Sequence, residues 1–323
     1  MIFKLSQFFN NNTKWLEKQQ TSILSAALII TVANIASSVA GLLRERLLIA
    51  SFFDSPASRL AYEAFQVAFQ IPDLLFQLII LGAVAASFIP LFTDLKKHSA
   101  KEAFEFTSSV MNLLLLIFTV ISVFIALFAR TLTEWRTGNA FTVEQIDTVV
   151  RLTRMMLFAQ LFFAVSNFFS GMLQSYRQFI VPAVAPVLYN VGIMLGVLLF
   201  QGWLGIYSAG VGVVIGAFLH MAVQLPLVWR LGFRPQLKIQ FRNPSLRHLF
   251  KLMPPRFLTI GVSELQSLGL AFFATTIGSL SFVIIQLGMR LMTIPIRLFG
   301  VPISQASLPF FSQETEDDEH KRF

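Results

Sequence analysis

The sequence predicts an all-α, polytopic membrane helix bundle, with one six-helix lobe followed by the first two helices of a second lobe. Three observations carry the prediction. Apolar runs of about 20 residues, enough to cross a bilayer core, recur along the whole chain. Only 13% of the 323 residues are charged, where a soluble domain carries roughly 25%, and mean hydropathy is +0.69. Finally, one Pro-containing helix pattern occurs twice, far apart in the chain.

The apolar periodicity places eight spans at roughly 22–52, 58–94, 103–131, 145–175, 179–201, 204–230, 246–275 and 279–312. Several exceed the crossing minimum, so tilt or a protruding end is expected. Pro182 and Pro186 are expected to mark the start of the fifth span, and Pro254 and Pro255 that of the seventh, because a first-turn Pro costs no hydrogen bond. Residues 1–21 precede the first span without a signal-peptide pattern. With Phe8, Phe9 and Trp15 among polar groups, they read either as an interfacial helix or as a frayed tail. The division is then an N-lobe over 22–230 (helices 1–6), a basic loop over 231–245, the start of a C-lobe over 246–312 (helices 7 and 8) and a charged tail over 313–323.

The connections divide sharply by charge. One side holds three lysines in the N-terminal tail, three in the second connection, Arg177 in the fourth, six cations in and beside the sixth, and Lys321 and Arg322 in the C-terminal tail. The other side holds Arg59, Arg130 and Arg136. The positive-inside rule puts both termini in the cytoplasm and the protein in the cytoplasmic (inner) membrane. This distribution also accounts for the net charge of +8 without a nucleic-acid partner.

Ionisable groups inside spans cost about 2.5–3.5 kcal/mol near the bilayer centre, so they tend to face water or a partner. Arg44, Glu63 and Arg290 are the deepest. Arg46, Arg151, Arg154 and Arg256 lie near span ends and can snorkel. Glu264 and Arg297 complete the set of candidate cavity or gate charges, with Glu45 beside Arg44. Ser37, Ala40, Gly41 and Arg44 share one helical face, either for close packing or as a cavity wall. Two arginines on different helices facing one cavity would suit an anionic headgroup, since guanidinium binds phosphate oxygens in bidentate fashion. No catalytic constellation stands out. There is no cysteine, and His98, His220, His248 and His320 are scattered, so neither a metal nor another cofactor is expected. Gly192 with Gly196 and Gly212 with Gly216 read as helix-contact pairs.

The repeat supplies the lobe count. "FQIPDLLF" (69–76) resembles "MTIPIRLF" (292–299), and each is followed by a similar ending, "ASFIPLF" (86–92) and "ASLPFF" (306–311). Spans two and eight are thus equivalent helices of two six-span repeats, the second incomplete. Repeated bundles with a site between them are a common transporter plan.

Four ordered motifs carry a family resemblance. "SSVAGLLRERLLIASFF" is similar to S-R-x-L-G-x-x-R-D. "EAFQVAFQIPDLLFQLIILGAVAASFIPLF" is similar to D-A-F-x-V-A-F-x-x-P-N-L-L-R-x-x-x-x-E-G-A-x-x-x-A-F-x-P. "RQFIVPAVAPVLYNVGIM" is similar to R-F-x-x-P-A-x-A-P-x-L-x-N, and "GMRLMTIPIRLFGVPISQASLP" to A-D-R-L-x-x-x-P-x-G-x-x-G-V-A-x-x-x-x-x-L-P. With these, the chain resembles the MurJ (MviN) lipid II flippases of the MOP transporter superfamily. The resemblance implies a transporter, not an enzyme, that moves a lipid-linked peptidoglycan precursor across the membrane by alternating access between two lobes. It implies a cationic cavity for the pyrophosphate headgroup, with Arg44 and Arg290 as its phosphate ligands. Glu45 and Glu63 fall on the acidic positions of the first and second helices.

The departures are Ser38 for the motif's first arginine, Phe76 for a cavity arginine, Leu81 for a glutamate and Asp73 for an asparagine. Glu45 and Arg46 are expected to be helix-end charges near the outer face. Glu63 is expected to hold the outer ends of the lobes together by charge pairing. The implied partners are an undecaprenyl-pyrophosphate-linked glycan lipid and membrane lipids, with the remaining helices supplied by a continuation of the chain or by a second polypeptide. The alternatives are an exporter of another polyprenyl-linked glycan and a non-transporting, lipid-binding scaffold.

Overall fold

The computed structural model describes residues 23–81, 88–138, 140–240, 244–278 and 280–296. The N-terminal segment 1–21, the tail 313–323 and the second copy of the repeat's ending lie outside them. Among the described residues every regular element is helical. They are α1 (Ile23–Phe52), α2 (Pro56–Ala68), α3 (Gln70–Phe76), a π-helical segment (Gln77–Leu81), α4 (Ile89–His98) and α5 (Ala100–Thr137). Then follow α6 (Val143–Ser175), α7 (Ile180–Leu204), α8 (Tyr207–Ala222), α9 (Leu225–Arg230), α10 (Pro244–Ile277) and α11 (Ser281–Pro295).

Six helical stretches among these residues are long and apolar enough to cross a membrane: Leu28–Phe52, Pro56–Ile80, Ala100–Thr137, Val143–Ser175, Ile180–Leu204 and Tyr207–Arg230. They correspond to the first six expected spans and form the six-helix lobe. α10 and α11 stand where the seventh and eighth are expected, as the opening helices of a second lobe.

Two spans are not the single helices expected from the sequence, and proline is the reason. Pro72 has no N–H to offer the Ala68 carbonyl one turn back. The helix breaks at Phe69, and the released Ala68 carbonyl accepts the Thr153 hydroxyl at 3.3 Å. The neighbouring Val67 carbonyl accepts the Arg136 guanidinium, also at 3.3 Å. Pro226 acts likewise: α8 stops at Ala222, the residue whose carbonyl Pro226 cannot serve, and α9 resumes at Leu225. The expectation that prolines mark helix starts needs correction. Pro182 does lie in the first turn of α7, but Pro186 is inside that helix and Pro254 and Pro255 are inside α10. Within a membrane bundle, neighbouring groups can satisfy the backbone that such prolines free.

Local signals set the helix starts. α2 opens with Ser55 as N-cap and Pro56 just inside. Ser55 Oγ accepts from the Ser58 N–H, and the Ser58 hydroxyl accepts from the Ser55 N–H, a reciprocal capping box. Thr142 and Gln145 form the same device at α6. Gly205, at φ 51°, closes α7 and allows a tight return into α8.

α7 and α8 then pack backbone to backbone. A Cβ on Gly192 would stand 2.3 Å from Gly216 Cα, and one on Gly196 would stand 2.3 Å from Gly212 Cα. Only glycine permits that approach. α6 runs through the bundle and packs on α2, α5 and α8.

Two apolar clusters fill the lobe. One gathers Phe88, Phe92, Phe106, Phe118 and Phe168, with Phe88 stacked on Phe106 and edge-on to Phe168 at a centroid distance of 5.2 Å. The other gathers Tyr62, Phe65, Leu152, Val197 and Val213, with Phe282 and Val283 of α11 joining it. Through this second cluster the first helices of the second lobe are anchored on the first.

Candidate functional site

A cavity of about 950 Å³ opens between α1, α7 and α11. α1 contributes Ser37, Ser38, Gly41, Arg44, Glu45 and Arg46, α7 contributes Pro186, Tyr189 and Asn190, and α11 contributes Gln286, Met289, Arg290 and Thr293. The spacing 37, 41, 44 is one helical face turned inward. Gly41 leaves room there: a Cβ on it would reach within 3.8 Å of Asn190 Oδ1. Among the described residues the wall carries three arginines and one carboxylate, so its charge is net positive.

That carboxylate organises the site. Glu45 is only 7% exposed. Its Oε1 accepts the Tyr62 hydroxyl and, at 3.3 Å, the Gln66 amide. Its Oε2 accepts an N–H of Arg290 and lies 3.5 Å from Arg44 Nη2. Gln66 also donates to the Tyr62 oxygen at 2.6 Å and accepts Arg290 Nη2 at 2.8 Å. On the other side, Arg44 Nη1 donates to Asn190 Oδ1 at 3.0 Å, and Asn190 is itself held by donation to the Pro186 carbonyl at 3.0 Å. The network thus ties α1, α2, α7 and α11 together.

The two arginines differ in their access to the cavity. Arg44 Nε is buried and makes no hydrogen bond among the described residues. The Arg290 side chain remains 37% exposed to the cavity, against 18% for Arg44 and 9% for Glu45. Two guanidinium groups on one cavity wall system are chemically suited to planar or tetrahedral oxyanions.

The structure brings Ser38, Arg44, Glu45 and Arg290 to one wall system. It revises the expectation for Glu45, which is not a snorkelling helix-end charge but a buried acceptor, held there by Tyr62 and Gln66. Arg46 is exposed and lines the same cavity. Glu63 lies apart, 1% exposed. Its Oε1 accepts the backbone N–H of Leu280 at 2.9 Å, and its Oε2 accepts the Gln145 amide at 3.4 Å. The expected charge pair is therefore a contact with a backbone amide. Leu280, at φ 65°, is the N-cap of α11, where an orphan N–H needs an acceptor.

Phe76 is buried against Phe163, at a centroid distance of 6.0 Å, away from the cavity lining. Asp73 is exposed and accepts from Gln77 at 3.1 Å. Leu81 ends the π-helical segment. Arg297 and the side chains of Leu81, Arg256 and Glu264 lie outside the described residues.

Sequence reasoning missed Tyr62, Gln66 and Asn190. The signal for the first two is their four-residue spacing on α2. For Asn190 it is a lone amide in the apolar run "VLYNVGIM".

A family model described as "Lipid II flippase MurJ" matches residues 48–323. The chain is 28% identical over 314 residues to a lipid II flippase MurJ of Burkholderia cenocepacia, covering 93% of this chain and 59% of that protein. It is 25% identical over 305 residues to a probable lipid II flippase MurJ of Bdellovibrio bacteriovorus, covering 92% and 57%. Among solved structures, a lipid II flippase MurJ in an inward closed conformation matches at TM-score 0.73 and 23% identity, over 90% of this chain and 59% of that one. A mutant of the Vibrio cholerae MATE transporter VcmN matches at TM-score 0.67 and 15% identity, over 88% and 63%. The chain therefore spans a little under three fifths of the curated relatives it matches.

Proposed function

The chain belongs to the lipid II flippase MurJ family, and we propose that its central cavity receives the pyrophosphate headgroup of lipid II while the lipid crosses the membrane. The observation that carries this reading is the convergence of Arg44 and Arg290 on one cavity, with the Arg290 side chain 37% exposed. The family is one of transporters rather than enzymes, and catalysis has no part in the reading. The lipid tail would stay in the bilayer while the headgroup moved through the cavity between lobes. In this reading residues 22–230 are the N-lobe, 231–245 a cytoplasmic loop and 246–312 the beginning of the C-lobe, in the inner membrane with both termini cytoplasmic. The cationic wall holds the phosphates, and Glu63 on the α11 N-terminus fastens the outer ends of the lobes. Exporting another polyprenyl-linked glycan, or serving as a non-transporting scaffold, draws no support from the family match.

Complementation tests the proposal. Cells depleted of their own lipid II flippase receive the 323-residue chain, alone or joined to the remaining helices of the Burkholderia relative. Rescue in either arm, abolished by Arg44→Ala, is the expected result. Failure of both arms, with the proteins confirmed in the membrane, would overturn the transport reading.

A further inference from the structure

After α9 the chain runs as an extended strap, "FRPQLKIQ" (233–240), along α5. Gly232, at φ 93°, makes the turn into it. A polar ladder on α5 holds the strap. The Gln236 N–H donates to Ser108 Oγ at 3.3 Å and the Gln240 N–H to Ser109 Oγ at 3.2 Å. Asn112 Nδ2 donates to the Lys238 carbonyl at 3.2 Å. Three polar residues within a helix that crosses the membrane are accounted for by this one backbone segment.

Between the strap and the first turns of α5 lies a cavity of about 320 Å³, lined by Lys101, Phe104, Gly232, Arg234 and Gln236. It shares no residue with the central cavity. Lys101 makes no hydrogen bond or ion pair among the described residues. Arg234 is aimed: its Nη1 donates to the carbonyls of Trp229 and Phe233, at 3.0 and 3.1 Å, and its guanidinium sits 6.0 Å from the Trp229 ring centroid. Among the described residues no carboxylate lines the cavity. The nearest acids in sequence are Glu102, which is exposed, and Glu105, which accepts the Gln240 amide at 3.4 Å.

The rim is apolar where the cations are. Leu237 is 99% exposed and Trp229 is half exposed. A fully exposed leucine on a tied-down strap, a half-exposed tryptophan and two cations around a phosphate-sized hollow are complementary to a lipid headgroup and the start of its chains.

We propose that this cavity binds the phosphodiester of an anionic phospholipid, with Lys101 and Arg234 on its oxygens and Leu237 in the acyl boundary. The proposal is independent of the transport reading. Because free phosphate offers the same oxyanion, the test separates the two sources.

The full chain, with Trp15, Trp135 and Trp203 replaced by Phe, keeps Trp229 as its reporter. It is placed in nanodiscs of phosphatidylcholine containing either brominated phosphatidylglycerol or brominated phosphatidylcholine at equal fraction. Stronger quenching by phosphatidylglycerol is expected, with apparent affinity falling about fivefold in Lys101→Gln, the worth of one juxtamembrane cation. Lys97→Gln, which removes an exposed partner of Asp94, should leave the preference unchanged. Equal quenching by the two lipids, or a preference undiminished in Lys101→Gln, would overturn the proposal. Loss of the preference on adding inorganic phosphate would overturn the lipid assignment in favour of a free anion.

Discussion

Arg44 of α1 and Arg290 of α11 converge on the same oxygen, Glu45 Oε2. Two like charges are held near one another by a single buried acceptor, and the junction between α1 and α11 depends on it.

Replacing Glu45 with Gln keeps the shape and removes the charge. The two guanidinium groups then repel, and spin labels at Ser37 and Thr293, on opposite cavity walls, should report a longer and broader distance distribution. Glu45→Ala also strands the Tyr62 and Gln66 donors, at a cost on the order of 1–3 kcal/mol. A thermal unfolding midpoint below that of Glu45→Gln is the expected sign. An unchanged distance distribution would remove Glu45 from its bridging role.

Arg44→Ala and Arg290→Ala should each weaken binding of a pyrophosphate lipid by roughly 10- to 100-fold, the worth of one charge-assisted hydrogen bond. Arg46→Ala should cost less, because Arg46 is exposed and no partner among the described residues positions it. Equal losses at all three positions, measured by titration in detergent, would refute the assignment of phosphate ligands.

Glu63→Ala should loosen the contact between α2 and the start of α11, whereas Glu63→Gln keeps an acceptor for the Leu280 N–H. A cysteine at Phe282, which is 1% exposed, should become reactive to a soluble maleimide in the Ala variant and stay protected in the Gln variant. Equal protection in both would mean that the carboxylate does not fasten this end.

Gly192→Ala and Gly196→Ala each force a methyl into a neighbouring backbone, and overpacking of this kind costs about 1–3 kcal/mol. Lower yield of folded protein and a lower unfolding midpoint are expected. Gly202→Ala is the control, since nothing among the described residues lies within 4 Å of its added Cβ. A midpoint for Gly192→Ala equal to that of the control would contradict the close helix contact.

Lys238→Cys, at an exposed position of the connection after α9, should be labelled by a membrane-impermeant thiol reagent from the cytoplasmic side alone. Labelling from the outside would invert the proposed topology.

The helix bundle is legible because span length, charge asymmetry and the repeat are all one-dimensional signals. The glycine pairs are legible for the same reason. Arg44 and Arg290 stand out as cations in apolar runs. The surroundings of Glu45 are not legible. An acid between two arginines reads as a balanced helix end, and its burial depends on Tyr62 and Gln66, neutral residues that arrive through tertiary packing. Glu63 hides its role differently, because its partner is a backbone amide and no side-chain pattern records one. The breaks at Phe69 and Val223 follow from Pro72 and Pro226. The apolar run continues through both, and periodicity alone cannot tell a broken helix from a whole one.

On the proposed reading, the arrangement around Glu45 would make anion capture an exchange reaction. Glu45 is the protein's own counter-anion, so a phosphate arriving as proposed would compete with an internal carboxylate instead of meeting bare cations. The affinity would then be a difference between two ion pairs. The displaced carboxylate would keep its Tyr62 and Gln66 donors on α2 while losing Arg290 on α11. A headgroup that took Arg290 from Glu45 would thereby loosen α11 from α1, while the Glu63–Leu280 contact kept the start of α11 on α2.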